Sequence, residues 1–328
     1  MTAEMTLLSA PSGRDQAVPD ARGTQAPGAP PALSGVAGAE ADPRDSLLTL
    51  GNSAGVVCML ALDHRDAMRN IFRRAGIDDP TEATTTRTKA RIIDVLAGSA
   101  SSILLDAAAA ATAGPRDIGL VMPLEAQGHE GLAGGRLTHL MEDFGPAQAA
   151  EAGADACKLL LYYREDHAPT AIRQRELLAQ VVVACHASGL PLVLEPLVYR
   201  LEDEDEPGYL AAFPDLVAEA AGELAGSGAD LLKLQFPGDA ASCARLSEVA
   251  APLHWTLLGG SHVESEAFIA ELEIACRSGA CGFIAGRAVW GGAIAVSQAE
   301  QGEWLRRHAL PVFDRLVDVA TAHGRRIQ

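Results

Sequence analysis

Eight times along this chain a short apolar run appears, and stretches with helical spacing separate most of the runs. That alternation constrains the fold more than any other feature. The runs cover residues 56–63, 102–106, 118–124, 156–163, 191–199, 230–237, 254–260 and 282–290. Helical patterns lie at 66–75 with 82–97, then at 146–152, 169–188, 207–225, 242–250, 264–278 and 303–322. Strands covered on both faces read as nearly continuous hydrophobic runs, as they do in parallel sheets. Eight strand–helix units in about 280 residues predict an α/β chain of the (β/α)8 TIM-barrel class. A doubly wound open sheet is the alternative, but no Gly-x-Gly-x-x-Gly follows the first run.

Residues 1–45 are rich in Ala, Gly, Pro, Ser and Asp without a sustained apolar period. Such a segment cannot bury enough surface to offset its ordering entropy, so a disordered tail is expected there, with the barrel domain over 46–328. The tail has neither the apolar centre of a secretory signal nor the basic character of an organellar one. The chain carries 43 acidic against 26 basic residues, a net charge of −17. That balance argues against nucleic acid or an anionic membrane as a partner. No apolar run is long enough to span a bilayer. The six cysteines contain no Cys-x-x-Cys and mostly sit in apolar patterns. Reduced core thiols in a cytoplasmic protein are expected.

The sixth run, Asp230-Leu231-Leu232-Lys233-Leu234-Gln235-Phe236-Pro237, holds an ammonium group amid leucines. An isolated charge in such surroundings neutralises or finds a partner. Lysines are rare in this chain: only Lys89, Lys158 and Lys233 occur, every other fixed positive charge being arginine. Arginine stays protonated and cannot form an imine, whereas lysine can. Lys158, Glu195 and Lys233 lie in the fourth, fifth and sixth runs, which are neighbours in a barrel. A carboxylate between two ammonium groups is therefore expected. A second cation lowers the pKa of an amine nucleophile, and a glutamate can shuttle its protons. The bland alternative is a structural Lys–Glu–Lys triad that fixes the barrel interior.

Chemistry in such barrels sits at the carboxyl ends of the strands, where Asp63, His64, Arg65 and Asp106 also fall. After the seventh and eighth runs come Leu258-Gly259-Gly260-Ser261 and Ala285-Gly286-Arg287-Ala288. Bare backbone N–H groups and a guanidinium at these two loops suit a dianionic phosphate. His64, His254 and His262 are the candidates for a metal-dependent alternative, but they lack a paired spacing such as His-Glu-x-x-His.

Five segments fall in an order that resembles a known family: Leu60-Ala61-Leu62-Asp63-His64-Arg65-Asp66-Ala67-Met68-Arg69, Lys158-Leu159-Leu160-Leu161-Tyr162-Tyr163, Glu195-Pro196, Asp230-Leu231-Leu232-Lys233 and Gly286-Arg287-Ala288-Val289-Trp290. They are similar to the class I tagatose-1,6-bisphosphate aldolases, a family that includes the sulfofructose-phosphate aldolases. The similarity runs from about Gly55 to Gly291. It implies a barrel enzyme with no metal or other cofactor, cleaving a ketose 1-phosphate to dihydroxyacetone phosphate and an aldehyde. It places the imine on Lys233, proton transfer on Glu195 and an assisting charge on Lys158. It has Asp63 contact substrate hydroxyls, and Arg287 with Gly286, Gly259 and Gly260 hold the phosphate.

Three positions depart from the family pattern. His64 stands where Gln is usual, Gln235 where Glu is usual, and Gly259-Gly260-Ser261-His262 replaces Ser-Ser-Gly or Ser-Ala-Gly. These positions line the substrate end, so His64 and Gln235 are expected to touch the half of the sugar that becomes the aldehyde. Asp66–Arg69 and Gly286–Trp290 lean toward the sulfosugar branch; Tyr162-Tyr163 and Leu104-Leu105-Asp106 lean toward the tagatose branch. The expected partner is thus a phosphorylated or sulfonated ketose, and a homo-oligomer is expected. A non-catalytic barrel that binds sugar phosphate is the alternative of a different class.

Overall fold

The computed structural model describes residues 47–77, 80–112, 117–259 and 264–327. The tail expected over 1–45 lies outside these residues. The strands are β1 (Val57–Leu62), β2 (Ser102–Leu105), β3 (Gly119–Pro123), β4 (Glu130–Leu132), β5 (Gly135–Leu137), β6 (Ala156–Tyr162), β7 (Leu192–Leu197), β8 (Leu231–Leu234), β9 (His254–Leu258) and β10 (Gly282–Ala285). Eight of them close into a parallel barrel in the order β1, β2, β3, β6, β7, β8, β9, β10 and back to β1. The remaining two, β4 and β5, form a separate antiparallel hairpin between the third and fourth barrel strands. The predicted TIM barrel is the observed fold.

Side chains alternate across each strand, so every run supplies two apolar surfaces. One set forms the barrel interior: Val57, Met59 and Ala61 with Leu104, Val121, Ala156, Val193, Leu231 and Ile284. The other set, including Cys58, Leu60 and Leu62 on β1, packs outward against the helices. Leu47, Leu50 and Ile327 join the interior set, and the Ile327 N–H donates to Gly55 O just before β1. They close the amino end of the barrel. All six cysteines are free and buried, within these apolar layers. Where β10 meets β1, Gly282 has φ +132 and a Cβ there would lie 1.9 Å from Val57 O. Only glycine closes the barrel at that contact.

Two helical expectations change. The eighth run is not strand to its end: β10 stops at Ala285, Gly286 turns the chain, and Arg287–Trp290 form one helical turn. The last helical stretch is broken into Gln301–Trp304, a π-helical Leu305–Ala309 and Leu310–His323. Pro311 has no N–H for the preceding turn, and the wide turn before it absorbs the lost bond. The hairpin and a short helix at Ala107–Thr112 were not anticipated. No described helix is long and apolar enough to cross a membrane.

Candidate active site

One inward step above the apolar interior, the strands change character. Ala61 is followed on its face by Asp63, Ala156 by Lys158, Val193 by Glu195, and Leu231 by Lys233. The period of two that builds the plug also aims these four charges into the carboxyl end of the barrel. β6, β7 and β8 are consecutive, so Glu195 reaches both lysines. Its Oε2 accepts from Lys233 Nζ at 2.9 Å and lies 3.0 Å from Lys158 Nζ. Lys158 Nζ also donates to Glu125 Oε1 at 2.5 Å and to Asp63 Oδ2 at 3.4 Å. The second Glu125 oxygen accepts the backbone N–H of Leu160 at 3.1 Å. Lys158, Lys233, Glu125 and Glu195 are all buried.

The two ammonium groups differ in how they are held. Among the described residues Lys158 faces three carboxylates, Lys233 one. Burial opposes a charge on Lys158, but Glu125, Glu195 and Asp63 outweigh it and raise its pKa well above the ordinary lysine value. Lys158 therefore stays a cation. Burial likewise pushes Glu195 up, yet the two lysines outweigh it and hold the carboxyl below its usual range. Asp63 is held down in the same way by Lys158, His64 and Lys233 against the effect of burial. Glu125 goes the other way: burial raises it, and Lys158 offsets this only in part. Among the described residues the site thus holds an ionised Glu195 beside one amine favoured as a cation by three carboxylates and one amine with a single carboxylate partner.

The rim is built from the ends of β1 and β10. Burial first, then Arg287 and both lysines, lowers the His64 pKa to about 4 against the pull of Asp63, so the ring is neutral at pH 7. It packs edge-on to Trp290 at 5.3 Å, and the Trp290 indole N–H donates to Ala61 O at 3.0 Å. A side chain at Gly286 would strike Ala61 O and the His64 ring, at 2.8 and 2.9 Å. Arg287 is half-buried beside them, and its Nε has no hydrogen-bond partner among the described residues.

Other expected site residues lie elsewhere or are already engaged. Gln235 turns its amide to Val198, accepting from the backbone N–H at 2.7 Å and donating to the carbonyl at 3.3 Å. It ties the ends of β7 and β8. Gly259 gives its N–H to Ile284 O at 3.0 Å and presses against Ala285, where a Cβ would be 2.8 Å from the Cα. Gly260, Ser261 and His262 lie outside the described residues. Asp106 pairs with the buried Lys89 and accepts from Ala109 N, capping the short helix after β2. His64 follows β1 at its carboxyl end, whereas His254 opens β9 at its amino end, so these two cannot share a metal. Among the described residues no group of three or more His, Cys, Asp or Glu is placed to hold a metal ion.

The family description "DeoC/LacD family aldolase" matches residues 57–292, which include every strand of the barrel. The chain belongs to the DeoC/LacD family of aldolases. It is a class I aldolase, a lyase. Two curated relatives, the tagatose 1,6-diphosphate aldolases of Staphylococcus aureus strains MSSA476 and JH9, are each 29% identical over 304 residues. Those alignments cover 83% of this chain and 93% of each relative. Among solved structures, an archaeal fructose 1,6-bisphosphate aldolase superposes with a TM-score of 0.64 at 21% identity, over 86% of this chain and all of that one. A Schiff base forming fructose-1,6-bisphosphate aldolase gives 0.61 at 20% identity, over 85% of this chain and 100% of the other. The structural likenesses show the shared barrel.

For this aldolase the sequence reading missed Glu125 and the Trp290 contact. Glu125 had a signal: Val121, Pro123 and Glu125 share a face by strand parity, and the apolar run stops one residue short of it. Trp290 had none, because its partner Ala61 is 229 residues away.

Proposed function

We propose that this aldolase cleaves a ketose 1-phosphate of the tagatose 1,6-bisphosphate type, through an imine on Lys233, to dihydroxyacetone phosphate and an aldehyde. The observation that carries the reading is the unequal pair of lysines sharing Glu195: among the described residues one faces three carboxylates and the other faces one. Lys233, paired with one carboxylate rather than three, is the amine assigned to attack the carbonyl.

Glu195 takes a proton from Lys233, and the amine adds to C2 of the ketose. Glu195 returns that proton to the carbinolamine hydroxyl, and loss of water gives the protonated imine and the ionised carboxylate. That cation draws the electron pair of the C3–C4 bond toward nitrogen, while Glu195 removes the C4 hydroxyl proton. The aldehyde leaves with C4, and an enamine remains on C3. Glu195 passes the proton it took to C3, directly or through water, which restores the imine, and water then releases dihydroxyacetone phosphate and the free amine. Lys158 keeps its charge throughout and stabilises the ionised Glu195. Asp63 accepts from substrate hydroxyls, and Arg287, whose Nε lacks a partner among the described residues, binds the C1 phosphate. The relatives at 29% identity, named as tagatose 1,6-diphosphate aldolases, support the same substrate class.

The test is a panel of ketose 1-phosphates with both products identified. Dihydroxyacetone phosphate and a matching aldehyde in equal amounts are expected. Turnover of a panel member without dihydroxyacetone phosphate would remove this substrate assignment, and binding without any turnover would favour a sugar-phosphate-binding barrel.

A further inference from the structure

The reading above leaves the far end of the ketose without a partner, and the hairpin over the barrel mouth offers one. β4 and β5 are joined by the two-residue turn Ala133-Gly134, with φ of +52 and +86. Positive φ at both positions is the tight turn that matches strand twist. The hairpin is fixed in place. Arg136 N donates to the Tyr199 hydroxyl at 2.7 Å, and His167 Nε2 lies 3.1 Å from Ala133 O. Just past β5, Thr138 Oγ1 accepts from Tyr162 N at 3.0 Å and from Gln174 Nε2 at 3.2 Å. A Cβ on Gly135 would meet the His167 ring at 2.7 Å, so the hairpin sits flush against that residue.

This frame presents one guanidinium. Arg136 lies 4.8 Å from the Tyr199 ring centroid and 5.8 Å from that of Tyr162. Among the described residues its guanidinium has no carboxylate and no hydrogen-bond acceptor. Two other arginines are held differently: Arg164 is bound by Asp166 and Glu204, and Arg65 donates to Glu125 O while its Nε has no partner among the described residues. Two aromatic faces hold a guanidinium by its flat side and leave its N–H edge free.

The position follows from strand parity and barrel order. Tyr162 shares the inward face of β6 with Lys158, two steps nearer the mouth, roughly 13 Å along the strand. Around the barrel, Arg287 follows β10, Lys233 is on β8, and the Tyr162–Tyr199 shelf lies over β6 and β7. The imine lysine therefore stands between two guanidinium groups. A ketose with an anion at each end and its carbonyl between them fits that order.

We propose that Arg136, held by Tyr162 and Tyr199, binds a phosphate or sulfonate at the end of the ketose remote from C1, and so sets the preference for doubly anionic substrates. This rests on the aldolase reading above. The substitution is Arg136→Met, which keeps an apolar stem against the rings, with Arg136→Lys beside it. kcat/KM is measured for a ketose 1,6-bisphosphate, the corresponding 6-deoxy-6-sulfoketose 1-phosphate and the ketose 1-phosphate. The parent is expected to prefer one of the two doubly anionic sugars, and which one it prefers names the anion. In Arg136→Met that preference should shrink on the order of 10- to 100-fold, the worth of one charged hydrogen-bonded contact, with partial recovery in Arg136→Lys. An unchanged preference, no preference in the parent, or an equal loss on all three sugars with a lowered Tm overturns the assignment. Borohydride trapping of dihydroxyacetone phosphate, which has no far end, is run on the same proteins. Trapping in the parent with an unchanged preference overturns only Arg136; no trapping in the parent overturns the aldolase reading and this inference with it.

Discussion

Replacing Glu195 by glutamine tests the shared carboxylate with almost no change of shape. The carboxylate stands 2.9 Å from one ammonium and 3.0 Å from the other. At an effective dielectric of about 20, each contact is a Coulomb attraction of roughly 6 kcal/mol. Desolvating the buried ions takes back several kcal/mol per ion, so the net cost of breaking such a pair is about 3–5 kcal/mol. Lys158 keeps Glu125 and Asp63, and the loss therefore falls on Lys233. Glu195→Gln should fold with a lowered Tm and still form the imine. Its kcat should drop by a factor on the order of 10²–10⁴, the usual contribution of a positioned acid–base group. Turnover is followed by product formation, and folding by a thermal melt. A kcat within a few-fold of the parent, in a folded variant, would make Glu195 a structural bridge and refute the reasoning.

Arg287→Ala should raise KM for the phosphorylated ketose about 10- to 100-fold, since one charged hydrogen bond contributes roughly 1.5–3 kcal/mol; an unchanged KM takes Arg287 out of the phosphate site. Acid should expose His64, whose folded pKa of about 4 lies below the ordinary 6.5 because the ring is buried among cations. The unfolded chain takes up the proton first, so His64 contributes stability above about pH 6.5 that is lost as the pH falls toward 4, at most about 3 kcal/mol. His64→Gln should flatten that part of the Tm–pH curve, and a curve of unchanged slope would contradict it.

Much of this site was legible because the chemistry shares its period with the fold. Once eight runs fix a barrel, parity alone places Lys158, Glu195 and Lys233 on the inner face and their strands side by side. The scarcity of lysine then separates these positions from ordinary surface charge. Parity puts Gln235 on the Lys233 face, but it says nothing of a side chain past the last ladder bond, and there the Val198 backbone claims it. Arg287 looked like a strand end, whereas the chain turns at Gly286 into a helical turn because the crowding at Ala61 O and His64 leaves no room for a Cβ. The hairpin escaped notice because three-residue strands are too short for an alternation to register, and its Ala-Gly turn lacks the usual Asn-Gly signature.

The most direct measurement of the central claim is borohydride reduction in the presence of dihydroxyacetone phosphate, followed by peptide mapping. The sugar phosphate should be fixed irreversibly on the peptide containing Lys233 and nowhere else, and Lys233→Arg should abolish both the label and turnover, since arginine cannot form an imine. Label on Lys158 would reverse the two lysines' roles, and an active enzyme that takes no label would contradict the imine altogether.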